Sequence, residues 1–291
     1  MQKAVGFIGL GVMGFPMAGH LATKGYKVSV FNRTLRKSQD WIKKYNGALC
    51  ESLSELAESS EVIFLCVGND DDVKNIINGD DGIINHLKPG TILIDHTTTS
   101  AELPIELNKS LHLKKVSFLD APVSGGQAGA ESGILSVMVG GNKESYKNVK
   151  EIIGAYSKFI KYMGESGSGQ LTKMVNQICI AGLIQALAEG INFSDEVGLN
   201  TKDVIEVISK GAAQSWQMEN RWETMINDEY EHGFAVDLMR KDLDIVLKKA
   251  EKNNIPIDIT KVVNNYYKDI QKAGGGRLDT SSLLKRIKDL I

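Results

Sequence analysis

Three glycines stand at the spacing Gly-x-Gly-x-x-Gly in the run Gly9-Leu10-Gly11-Val12-Met13-Gly14. They follow an apolar stretch of strand character, residues 4–8, and open a stretch of helical character, residues 13–24. In that setting each glycine has a physical task. The first permits a tight turn, the second lets the backbone approach a pyrophosphate, and the third lets helix and strand pack closely. The helix N-terminus then offers unpaired N–H groups to the phosphates. Gly9, Gly11, Val12, Met13 and Gly14 are therefore candidates for holding a nicotinamide dinucleotide.

The end of the next strand bears on which dinucleotide. A site for NAD ordinarily carries Asp or Glu about 20 residues beyond the turn, where it holds the ribose hydroxyls. This chain has Asn32, Arg33 and Thr34 there, followed by Arg36 and Lys37. A carboxylate repels a 2′-phosphate, whereas a neutral Asn beside an Arg accommodates one. NADP(H) is expected, with NAD as the lesser option. Ligands of open α/β sheets lie beyond the carboxyl ends of the strands, so Val67, Thr97 and Thr98 are further cofactor candidates. His96, alone beside a threonine run, reads as structural rather than as an acid–base group.

Two more segments offer chemistry for a substrate. Asp120-Ala121-Pro122-Val123-Ser124-Gly125-Gly126 ends another strand in small residues. The exposed N–H groups and the hydroxyl of Ser124, Gly125 and Gly126 suit a carboxylate, with a plain turn as the alternative. The second segment, Gly167 to Asn176, opens a long helical stretch in which Lys173 and Asn176, three apart, share a face. A lysine desolvated beside a cationic ring releases its proton more readily and can exchange it with a substrate oxygen, while Asn176 can orient that substrate. The spacing alone leaves a solvated helix lysine as the alternative.

The elements that must position these residues change character midway. Strand-like runs at 4–8, 27–31, 62–67, 91–95, 116–120 and 135–139 alternate with helical stretches that include 13–24, 52–58, 71–77 and 143–153. Such alternation predicts parallel strands with crossover helices, an α/β Rossmann doubly wound sheet. From about Gly167 only helical periods remain, at 168–196, 201–210, 216–227, 236–253, 256–272 and 280–290. The first of these, read as one helix, spans about 43 Å at ~1.5 Å per residue. The expected organisation is a dinucleotide-binding domain over 1–164 and an all-α C-terminal domain over 165–291, built around the long helix. A glycine- and serine-rich joint near residues 163–169 marks the boundary.

Composition narrows the function classes. The 291 residues are 42% hydrophobic and 24% charged, with a formal net charge of −2, so no basic field invites nucleic acid or an anionic membrane. The N-terminal apolar stretch is short and glycine-broken, unlike a secretory leader. No other segment is read as reaching the ~20 apolar residues of a membrane helix. Three dispersed cysteines, Cys50, Cys66 and Cys179, argue against a disulfide framework or a zinc site, and no metal is expected. They read as buried thiols, and the chain as cytoplasmic.

The 9–14 turn, the 120–126 segment, the 167–176 run and Lys241-Asp242-Leu243 occur in the order found in the β-hydroxyacid dehydrogenases, which the chain resembles over essentially its whole length. That family includes 3-hydroxyisobutyrate dehydrogenase, tartronate semialdehyde reductase and glyoxylate/succinic semialdehyde reductases. The resemblance implies hydride transfer between NADP(H) and a small carboxylate substrate, a short 3-hydroxy acid or semialdehyde. It implies Lys173 as catalytic acid/base, Asn176 as a substrate ligand, and Ser124, Gly125 and Gly126 around the substrate carboxylate. It also implies that Lys241, on the helix after Phe234, closes over cofactor and substrate, and that the long helix supports a homodimer or homotetramer. Glyoxylate, succinic or tartronate semialdehyde reduction is the alternative within the family. A decarboxylating 6-phosphogluconate-type reaction would want a longer helical region and more cationic residues. An imine reductase fits less well, because Lys173 is retained, and a non-catalytic member would be expected to lack it. Departures are Asn32, where many 3-hydroxyisobutyrate dehydrogenases carry an acidic residue, Asp95-His96-Thr97-Thr98-Thr99 in place of a serine-rich strand end, and Trp216, which reads as core or interface ahead of pocket.

Overall fold

The computed structural model describes residues 3–289, in two compact units that divide between Lys173 and Met174. Residue 290, the expected end of the last helix, lies outside the described residues. The first unit runs β1 (Ala4–Ile8), α1 (Gly14–Thr23), β2 (Lys27–Phe31), α2 (Leu35–Lys44), β3 (Ala48–Leu49), α3 (Leu53–Ser59), β4 (Val62–Leu65) and α4 (Asp70–Asn78). It continues through β5 (Ile92–Asp95), α5 (Glu102–His112), β6 (Ser117–Asp120), β7 (Val123–Ser124), α6 (Gly126–Glu131), β8 (Leu135–Gly141), α7 (Lys143–Ile153) and β9 (Ser157–Gly164).

Strands β3-β2-β1-β4-β5-β6 lie side by side, each parallel to its neighbours. The order reverses at β1, which has β2 on one side and β4 on the other, so a crevice opens beyond the carboxyl ends of these strands. Both faces are covered, as the two-residue period requires. Val5, Phe7, Val62, Phe64, Ile92 and Ile94 pack on one side with Met17, Leu21 and Trp41 of α1 and α2. Ile8, Ile63, Leu65, Leu93 and Phe118 pack on the other with Leu56, Val73 and Leu107 of α3, α4 and α5.

The expectation of parallel strands throughout is corrected at β8, which runs antiparallel to both β6 and β7. The link from Ser124 to Leu135 carries only α6, shorter than the dozen or more residues of a parallel crossover. β6 and β7 are in effect one strand interrupted at Ala121-Pro122, and both pair with the same strand β8. β9, absent from the sequence expectations, pairs in parallel with β8.

The second unit is helical apart from an isolated bridge between Ala235 and Asp279, among the described residues. Helix α8 (Ser168–Glu196) begins in the first unit and is followed by α9 (Thr201–Ile208), α10 (Trp216–Ile226), α11 (Val236–Lys252), α12 (Asp258–Lys272) and α13 (Leu283–Asp289). Ala181, Ile184, Ala188 and Ile191 of α8 pack with Met218, Met239, Leu243, Val263 and Tyr267 into a separate core. Helix starts are set locally: the Asn200 and Ser215 side chains accept N–H groups from the first turns of α9 and α10.

Two sequence expectations fail on α8. The helix is long and apolar enough, by length and composition, to cross a membrane, and only 44% of its most apolar stretch is buried. Scattered Gln and Gly residues hide this in the sequence. Cys179 on α8 is exposed and Cys66 half-buried, so only Cys50 is the buried thiol expected.

Candidate active site

The glycine turn lies between β1 and α1 at the topological switch point. Gly9 has φ +96° and donates to the Phe31 carbonyl at 3.0 Å, and a Cβ there would fall 2.3 Å from the Cys66 carbonyl oxygen. A Cβ on Gly14 would fall 1.9 Å from the Gly9 oxygen, so α1 reaches the turn only without a side chain. Gly11 differs: a Cβ there would meet nothing within 4 Å. Two glycines serve packing and the third leaves backbone open, which fits a dinucleotide pyrophosphate. Val12 is 60% exposed beside it, and Met13 precedes the first residue of α1.

Asn32 binds this turn directly. Its Oδ1 accepts the Leu10 N–H at 2.9 Å and its Nδ2 donates to the Thr34 carbonyl at 3.1 Å. The side chain thus joins the glycine turn to the start of α2 and leaves the charge to Arg33, which is exposed, as is Thr34.

Val67 and Thr97 come together at the ends of β4 and β5. The Val67 N–H donates to Thr97 Oγ1 at 3.0 Å, and the Thr97 N–H donates to Asp95 Oδ1 at 2.9 Å. Gln170 of α8, 1% exposed, continues the chain of contacts. Its Nε2 donates to the Thr97 carbonyl at 2.8 Å, and its Oε1 accepts the Thr99 N–H at 3.1 Å. Thr98 sits half-buried between these anchors. His96 is structural, as its sequence setting suggested. A carbonyl only accepts, so His96 Nδ1 donates to Ala121 at 2.6 Å, and the Tyr156 hydroxyl donates to Nε2 at 2.7 Å. The ring stacks on Phe64, and burial pushes its pKa down to about 4.

Of the residues expected to meet a substrate, Ser124, Gly125, Gly126 and Lys173 lie at β7, the turn after it and the first turns of α8. Ser124 pairs with Ser136 of β8, and Gly125 and Gly126 follow with φ of +136° and +61°, a turn suited to glycine. Lys173 is 7% exposed and its Nζ donates to the Val123 carbonyl at 2.9 Å, next to this turn. The solvated-lysine alternative is therefore excluded.

Asp120, which sequence reading places in the motif without a role, holds this arrangement. Its fully buried carboxylate accepts the Gly167 N–H on Oδ1 at 2.9 Å and the Gln170 N–H on Oδ2 at 3.0 Å. Burial pushes its pKa up to about 6, against the pull of backbone N–H groups from Gly167, Gln170 and Gly169. A Cβ on Gly140 would lie 2.6 Å from its Oδ1, and one on Gly169 2.6 Å from its backbone carbonyl oxygen. No local pattern could reveal this role, because the partners are 47 and 50 residues away.

In the second unit, Asn176 Nδ2 donates to Gln177 Oε1 at 2.8 Å, and Gln177 Nε2 donates to Asp242 Oδ2 at 2.7 Å. Lys241 Nζ pairs with Asp242 Oδ1 at 3.1 Å. One buried carboxylate thus links Lys241 directly, and Asn176 through Gln177, a residue whose place in the sequence carries no signal of that role. Asp279, fully buried, orients the loop before α11: its Oδ2 accepts the Phe234 N–H at 2.8 Å and Arg221 lies 3.3 Å from its Oδ1. Trp216 is 48% exposed beneath the Arg221 guanidinium and is not a core residue.

Known proteins resemble the chain across these elements. A family model described as the NAD binding domain of 6-phosphogluconate dehydrogenase matches residues 4–164. A second, described as NAD-binding of NADP-dependent 3-hydroxyisobutyrate dehydrogenase, matches residues 167–287. An uncharacterized oxidoreductase of Shewanella frigidimarina is 51% identical over 284 residues, covering 98% of each chain. A probable 3-hydroxyisobutyrate dehydrogenase-like protein of Arabidopsis thaliana, described as mitochondrial, is 35% identical over 98% of this chain and 85% of its own. The crystal structure of a 3-hydroxyisobutyrate dehydrogenase from Salmonella typhimurium superposes with a TM-score of 0.86 at 26% identity, over 98% of this chain and 99% of that one.

Proposed function

Because the chain belongs to the β-hydroxyacid dehydrogenase family of NAD(P)-dependent oxidoreductases, we propose that it interconverts a short 3-hydroxy acid and its semialdehyde with NADP(H). The observation that carries this reading is Lys173, buried and held on the Val123 carbonyl beside the Ser124-Gly125-Gly126 turn. A bound nicotinamide supplies the hydride in reduction and accepts it in oxidation. Lys173 manages the proton: in reduction its ammonium donates to the substrate alkoxide, and in oxidation its amine takes the hydroxyl proton. Ser124, Gly125 and Gly126 hold the substrate carboxylate. Asn176, three residues on from Lys173 along α8, orients the reacting oxygen, and Lys241 is assigned to closing over the ligands.

The NADP(H) preference rests on Asn32, Arg33 and Thr34. The Asn32 amide is engaged with backbone, no carboxylate stands there to repel a 2′-phosphate, and the exposed Arg33 supplies positive charge. The accessible face of α8 is assigned to a second copy of the chain. Val175, Cys179 and Leu183 recur along it every fourth residue, all exposed, and an apolar groove lined by Leu187, Ile191, Val204 and Ile208 adjoins Leu183.

The test is a spectrophotometric panel of methylmalonate, succinic and tartronate semialdehydes and glyoxylate, each with NADPH and NADH. Turnover with NADPH of at least one is expected, together with loss of most turnover in Lys173→Ala at unchanged NADPH affinity. Near-normal turnover in that variant overturns the assignment of Lys173, and a clear NADH preference overturns the role of Arg33.

A further inference from the structure

Resting on the reading of Lys173 as the proton-exchanging group, we propose that Asp120 is its positioning residue, fixing the first turn of α8 to the end of β6. The geometry is a clasp with two closures. The Asp120 carboxylate receives the N–H groups of Gly167 and Gln170, and three residues further along each segment Lys173 Nζ donates to the Val123 carbonyl. Between them the two closures set the rotation and depth of the helix against the strand that ends in Ser124.

Three features separate this from an ordinary helix cap. First, the capping group comes from a strand 47 residues away rather than from the residue before the helix, so it fixes position as well as terminating a helix. Second, the carboxylate is fully buried, a burial that costs stability unless the groups around it are held in place. Third, the space around it is kept by glycine: side chains at Gly140 and Gly169 would strike Asp120 itself. The helix dipole favours a negative charge at this end, and no neutral side chain matches a carboxylate that accepts on both oxygens.

Gln170 extends the clasp. Its backbone N–H is held by Asp120 while its side chain bridges the Thr97 carbonyl and the Thr99 N–H. The carboxyl end of β5 and the turn carrying Lys173 therefore share one anchor. Asp120 touches no reacting atom in this scheme and acts through Lys173.

The test is Asp120→Asn, which preserves shape and offers one acceptor where there were two. Assayed on the best aldehyde of the panel, it is expected to lower kcat by about a hundredfold, the scale of a 1 Å misplacement of a catalytic group. NADPH Kd, read by fluorescence titration, stays within about twofold, since the glycine turn is untouched. The double variant Asp120→Asn/Lys173→Ala is no slower than Lys173→Ala alone, because a positioning residue has nothing left to position. If Asp120→Asn folds too poorly to assay, Gly140→Ala, which keeps the charge and displaces it, takes its place with the same expected pattern. Wild-type kcat in the replacement variant, or additive losses in the double variant, overturns the proposal. Near-normal turnover in Lys173→Ala, or a wild type inactive on the whole panel, instead overturns the reading on which it rests.

Discussion

Gly11 and Gly14 stand three residues apart, and the structure assigns them opposite consequences on substitution. A methyl at Gly14 would sit 1.9 Å from the Gly9 oxygen and 2.9 Å from Phe7 Cε1. Ordinary contact is ~3.5 Å, so α1 would have to withdraw by more than about 1 Å, at an overpacking cost of about 1–3 kcal/mol or more. A methyl at Gly11 meets nothing within 4 Å, and the residue has no positive φ that would strain alanine. Its effect on stability is expected within about 0.5 kcal/mol. Bound pyrophosphate is another matter, because the methyl would occupy the gap through which the backbone reaches the phosphates. Loss of one charge-assisted hydrogen bond, about 1.5–3 kcal/mol, weakens NADPH about 10- to 150-fold. Thermal melts and calorimetric titration with NADPH read the two quantities separately. Gly11→Ala should melt like wild type and bind poorly, while Gly14→Ala should melt early. NADPH affinity within twofold of wild type in Gly11→Ala would refute the placement of the pyrophosphate. An unchanged Tm in Gly14→Ala would refute the packing account.

Two further predictions concern stability and assembly. His96 has its folded pKa lowered to about 4 from an ordinary 6.5, so its stability contribution is complete above pH 6.5 and is lost as pH falls through 6.5 toward 4. The stability difference between wild type and His96→Gln, from urea unfolding at each pH, should shrink by about 3 kcal/mol between pH 7 and pH 4, and a difference independent of pH speaks against a buried neutral ring. Leu183→Glu, on the 43% exposed side chain of α8, should move the sedimentation coefficient toward the monomer without weakening the fold of the chain. An unchanged oligomer, or a wild type that sediments as a monomer, removes α8 as the self-association face.

Legibility followed the range of the interactions. The bounds of β1, β2, α7 and α8 are as the periodicity predicts, because burial on one or both faces repeats within the segment itself. Helix α2 is not legible in the sequence: it buries only Ser38 and Trp41, too thin a pattern to read. β9, with Phe159 60% exposed and two exposed lysines, gains its strand character from pairing with β8. The reversed direction of β8 follows from the link through α6, which is too short for a parallel crossover and leaves no mark on the periodicity of β8 itself.

By itself the sequence determined the ligand class and the residue types proposed for the chemistry. A dinucleotide turn is a local object whose glycine spacing is set by one strand, one turn and one helix start, and all of it lies within six consecutive residues. The absence of a carboxylate at Asn32 and the presence of Lys173 are equally readable without a fold. Tertiary structure alone decided that Lys173 is buried on the Val123 carbonyl, that Gln170 joins β5 to α8, and that Asp120 closes the clasp. These are hydrogen bonds between groups 47 to 73 residues apart, and their partners are chosen by which strand ends the sheet order makes neighbours. Nothing along the chain encodes such a pairing locally. A buried carboxylate finds its donors only after β6, β8 and the first turn of α8 have been brought together and water has been excluded.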